Sequence, residues 1–69
     1  MDRETIRRTI RKVSECRAEA IAAIRTAELL EAWGSPKLLA LAREYRASAA
    51  DWKKLADEYE RDVPAVFVA

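Results

Sequence analysis

Histidine is absent from this chain, and its 69 residues include one cysteine, one glycine and two prolines. Each scarcity excludes something. Without histidine the usual physiological proton shuttle is missing, and so is the commonest nitrogen ligand of a zinc site. Cys16 stands alone, so no intrachain disulfide can form. With no histidine to activate it, its thiol is expected to be a small buried apolar group rather than a nucleophile. No uncharged run approaches the roughly 20 residues of a membrane span, and the charged start lacks the apolar stretch of a signal peptide. A cytoplasmic, reducing setting is therefore expected. No glycine-rich phosphate loop or nucleophile motif occurs. The carboxylate pairs Glu28/Glu31 and Asp57/Glu60 lie one helical turn apart, but they point outward and lack the Glu-x-x-His partners of a di-metal bundle. The expectation is a protein that is not an enzyme and that takes no metal or cofactor.

What the chain does contain is helix. Apolar residues make up 51% and charged residues 36%, a globular balance rather than a disordered one. The length allows one domain and only a small core. Scaffolds of this size need a staple, and with disulfide and zinc excluded, oligomerisation remains.

Three seven-residue ladders run through the second half: Leu41, Ser48 and Leu55; Ala42, Ala49 and Ala56; Tyr45, Trp52 and Tyr59. A strict heptad marks a helix lying along other helices, because that period keeps one face toward a neighbour. In the first half, Ile6, Val13, Cys16, Ala20, Ala23, Ala27 and Leu30 alternate at three- and four-residue spacing, with Thr9 filling the gap. Ile10, Ile21 and Ile24 widen that stripe on one flank, which suggests more than one neighbour.

The punctuation lies at Trp33-Gly34-Ser35-Pro36. Gly34 suits a left-handed position, Ser35 an N-cap and Pro36 a first helical residue. The predicted fold is all-α: residues 1–62 form an antiparallel hairpin, with helices over 2–33 and 36–62 and a turn at 34–35. Asp2 is the expected N-cap of the first helix. Two hairpins are expected to pair as a dimeric four-helix bundle. The expected self-association seam comprises Ile6, Ile10, Val13, Ile24, Tyr45, Trp52 and Tyr59. Folding about the turn would bring Tyr45, Trp52 and Tyr59 near Ile24, Arg17 and Ile10, beside the small side chains of Ala20, Ala23 and Cys16, large opposite small, with the stem of Arg17 beneath Trp52. Ser48, the polar member of its ladder, is expected to bond back to the carbonyl four residues earlier or to mark a close helix approach.

Charge supports the antiparallel arrangement. The first helix starts with an excess of Arg and Lys, and the second ends in Asp and Glu, each sign at the unfavourable end of its own helix dipole. A hairpin sets those ends side by side. It would also set Glu19, Glu28 and Glu31 against Lys37, Arg43 and Arg46.

For function, the expectation is a non-catalytic protein–protein interaction or assembly module acting as a homodimer. High Ala and Arg usage suits a GC-rich genome, hence a small bacterial or phage accessory protein. The alternative is RNA or DNA binding through Arg7, Arg8, Arg11 and Lys12, for which small dimeric RNA-binding hairpins are an architectural analogy. The net charge of +1 argues against it. Residues 63–69 form an apolar, proline-interrupted tail in which Val63, Val66, Phe67 and Val68 are candidates to bind a second protein. The same residues could instead cap the bundle or cross to a second subunit.

Overall fold

The structure, a computed structural model, describes residues 2–64. Two helices account for nearly all of them: α1 over Arg3–Trp33 and α2 over Pro36–Arg61, with no strand among the described residues. They pack antiparallel as a rod 50 Å long and 14 to 17 Å across, so the molecule is two helices thick. Each helix has one covered side. No helix in the described residues is long and apolar enough to cross a membrane.

The helix ends follow local chemistry. Asp2 caps α1, its Oδ1 accepting from the Thr5 amide at 2.7 Å. That bond holds the Asp2 carboxyl below its ordinary value. Gly34 closes α1 with φ 74°, and its amide donates to the Leu30 carbonyl at 3.4 Å. Ser35 then caps α2, its Oγ accepting from the Leu38 amide at 3.3 Å, and Pro36 sits where its missing N–H is no loss. A Cβ on Gly34 would come no closer than 3.9 Å to the Glu31 carbonyl oxygen, an ordinary contact. The cost of Gly34→Ala is therefore conformational. It should lower unfolding free energy by about 1–2 kcal/mol, the penalty of a left-handed non-glycine residue, as read by thermal denaturation.

The interface between the helices is a pair of matched heptads. Ile6, Val13, Ala20 and Ala27 on α1, and Ala42, Ala49 and Ala56 on α2 continued by Val63, are all buried. Val13 packs with Cys16 and Ala56, and Ala20 and Ala23 pack with Ala49. Among the described residues, six of the ten that are buried are alanine, and none of the ten is larger than isoleucine. Small side chains let two backbones approach closely, and that decides which column fills the seam.

Two differences from the sequence expectation follow. The α2 column in the seam is the alanine ladder, and the aromatic ladder lies beside it on one flank, so Trp52 and Tyr59 are only half-buried. Beyond α2, Asp62 and Val63 turn back onto the helix end, the Val63 amide donating to the Glu60 carbonyl at 3.0 Å. Val63, expected to begin an extended tail, is instead 8% exposed and belongs to the core. Val66, Phe67 and Val68 lie outside the described residues.

Candidate interaction site

Because the seam takes only small residues, the large apolar side chains fall on its two sides. One flank carries the aromatic ladder. Trp52 rests on both buried clusters, spanning Cys16 and Val13 toward one end and Ala20 and Ala23 toward the other. Leu55 and Tyr59 join it, and the three line a groove of about 550 Å³ with Lys12, Glu15, Cys16 and Glu19. Farther along, Tyr45 and Ser48 face Ala22, Ala23 and Thr26, and Leu41 and Glu44 complete the strip. Tyr45 is 38% exposed and Leu41 39%, high values for residues of this size.

The opposite flank carries isoleucines. Ile10 and Ile21 line a groove of about 460 Å³ with Val13, Ser14, Arg17, Ala18, Glu60 and Val63. Ile24 continues the Ile10–Arg17 column one heptad on, and is also exposed.

The expected self-association seam therefore separates into three parts. Ile6 and Val13 are buried inside the hairpin. Ile10 and Ile24 lie on one flank, and Tyr45, Trp52 and Tyr59 on the other. The expected pairing of Tyr45, Trp52 and Tyr59 with Ile24, Arg17 and Ile10 is not formed. Their expected place beside small side chains is kept: Trp52 packs on the clusters that hold Cys16, Ala20 and Ala23, Tyr59 packs on the cluster of Val13, Cys16 and Ala56, and Tyr45 faces Ala22 and Ala23. Arg17 reaches away from Trp52 and pairs with Glu60 across the hairpin. Ser48 makes no bond to its own helix. The hydroxyls that bond back to the carbonyl four residues earlier are Thr9 and Thr26.

Charge does tie the two helices together. Arg46 grips Glu31 with two parallel bonds, Nε to Oε2 and Nη2 to Oε1, each 2.7 Å. This fork geometry is the strong form of an exposed ion pair. It lowers the Glu31 pKa and raises that of Arg46, to which Glu28 adds a smaller attraction. A carboxylate held below its ordinary pKa stabilises the fold fully above about pH 4.5 and loses that contribution as pH falls through the lowered value. Glu31→Gln should therefore flatten the acid limb of the stability profile and leave the alkaline limb unchanged, as followed by helicity against pH.

The basic start of α1 is divided. Arg8 pairs with Glu4 at 3.4 Å, and the Lys12 ammonium sits 5.3 Å from the centre of the Tyr59 ring. Arg7 and Arg11 form a neighbouring outward column, with no ion pair among the described residues. No cluster of three or more metal-ligating side chains occurs among the described residues.

An exposed apolar pair that the sequence reading passed over is Leu29 and Trp33, 67% and 80% exposed, one turn apart on the side of α1 away from α2. Its signal was present as i, i+4 spacing outside the main stripe. Comparison with known proteins finds no matching family model, no similar curated protein and no similar solved structure.

Proposed function

We propose that this chain is a non-catalytic interaction module that works as a homodimer of hairpins, joined through its aromatic flank into a four-helix bundle. The observation that supports it most is the division of side chains by size. The hairpin buries alanines, valines, a cysteine and one isoleucine, while Leu41, Tyr45, Trp52, Leu55 and Tyr59 form one strip along the outside. Apolar strips of that extent on a small protein mark binding surfaces. Tyr and Trp are also the residues that dominate interface energetics. A second hairpin laid on the strip would give each α2 the two-sided burial that its heptads describe.

Sedimentation equilibrium with Tyr45→Lys tests this. Tyr45 belongs to the strip but to neither buried cluster. The wild type should be dimeric at micromolar concentration. The variant should associate at least tenfold more weakly, about 1.4 kcal/mol, with its helicity kept. A wild type that sediments as a helical monomer at that concentration overturns the proposal.

Nucleic-acid binding is less well supported, because Arg8 and Lys12 already have partners within the hairpin. Binding that is tight, steeply salt-dependent and lost on charge reversal at Arg7 and Arg11 would favour it instead.

A further inference from the structure

Arg25, Leu29 and Trp33 follow one another at four-residue spacing on the outer face of α1, and all three are exposed. This column belongs to neither flank of the hairpin. It is also out of reach of residues 65–69. Val63 packs beyond the far end of α2, whose 26 residues span about 39 Å from the turn. Leu29 stands one helical turn from the loop, and five extended residues cover at most about 18 Å. We propose that the column is a self-complementary contact between two copies of this chain. α1 meets α1 in antiparallel register, Leu29 lies on the two-fold axis, and Trp33 of each copy stacks on Arg25 of the other.

Symmetry, charge and area support a second copy as the occupant. In an antiparallel pair of helices, residues equally far from the axis face each other. Arg25 lies four residues before Leu29 and Trp33 four residues after it, so a cation meets an aromatic face twice. Tryptophan is the best such face, and a guanidinium stacks on it well. Within one chain the two cannot meet, because eight residues set them about 12 Å apart along the helix. The same separation keeps the two arginines apart across the contact. Arg25 makes no ion pair among the described residues. Glu28, the nearest carboxylate in sequence, adds its attraction to Arg46 instead. Ala22 and Ala32 beside the column are small and exposed, which lets the second helix come close. Three side chains per copy cover far less than the roughly 800 Å² per partner of a standard interface. The contact is therefore weak alone and gains from copies already joined through the aromatic flank. Two distinct two-fold contacts on each chain build an assembly larger than a dimer.

Sedimentation velocity of Tyr45→Lys, in which the aromatic flank is disabled, tests this from micromolar to millimolar concentration. The variant should be monomeric at the low end and dimeric at the high end. Adding Arg25→Glu or Trp33→Ala should abolish the millimolar dimer and leave helicity unchanged, because both side chains are exposed. In a mixture of differently labelled copies, nuclear Overhauser contacts should join the Trp33 indole of one copy to the Arg25 side chain of the other. A Tyr45→Lys protein that stays monomeric throughout overturns the proposal and leaves the column to a different protein. A millimolar dimer that survives both Arg25→Glu and Trp33→Ala overturns it equally. The flank dimer is read in the wild type at micromolar concentration and this contact in Tyr45→Lys at millimolar, so either proposal can fail alone.

Discussion

Trp52→Ala is expected to lower the unfolding free energy by about 3 kcal/mol and to weaken self-association in the same variant. Trp52 bridges the two buried clusters of the hairpin, so its loss strips cover from Cys16 and Val13 on one side and from Ala20 and Ala23 on the other. The figure is the low end of the range for truncating a buried aromatic, because one edge of the indole stays open on the flank. Small domains have only a few kcal/mol to lose, so partial unfolding at room temperature is expected. Comparison with Tyr45→Lys separates the roles. The tyrosine variant should keep the monomer's helicity and lose association, whereas the tryptophan variant should lose both. Chemical denaturation at several protein concentrations measures the two effects together. A Trp52→Ala protein as stable as wild type would mean that the indole covers nothing of consequence.

The hairpin was legible because independent local signals agree on it. Gly34, Ser35 and Pro36 each do in the structure what their backbone chemistry prescribes. The expected charge pairing across the helices is realised at Glu31 with Arg46. Sequence periodicity also identifies the α1 stripe, since Ile6, Val13, Cys16, Ala20, Ala23 and Ala27 are all buried. Consistency of this kind across levels is what makes a sequence specify one arrangement.

What the sequence left ambiguous was rotation of α2 about its own axis. The alanine and aromatic ladders share one period and lie three residues apart, so periodicity alone does not choose between them. Hydrophobicity favours the aromatic ladder as the seam. Backbone proximity favours alanine, and α1 presents alanines and a cysteine along most of its stripe. Small against small brings the helices close and displaces the rings to one side. A rotation of less than one residue step then moves Tyr45, Trp52 and Tyr59 from a hairpin core to a candidate interface. It also places Arg17 beside Glu60, on the flank opposite the aromatics. Size complementarity of large against small holds on the flank, where Trp52 packs against Cys16, Ala20 and Ala23, while the seam itself is small against small.

Ala56→Leu tests that close approach directly. Ala56 is fully buried between Val13 and Cys16, and three added carbons have no void to enter. Overpacking a well-filled core costs 1–3 kcal/mol, and helices fixed by contacts along their whole length cannot separate at one layer alone. We expect about 3 kcal/mol of destabilisation. Ala50→Leu serves as the control: it is on the same helix and exposed, with a nearly equal change in helix propensity, and it should be close to neutral. The difference between the two thus isolates the seam. If α2 were rotated so that the aromatic ladder filled the interface, Ala56 would border that interface rather than centre it, and Ala56→Leu would be tolerated nearly as well as Ala50→Leu. A large gap between these variants, measured by thermal and denaturant unfolding, is the outcome that an alanine seam requires.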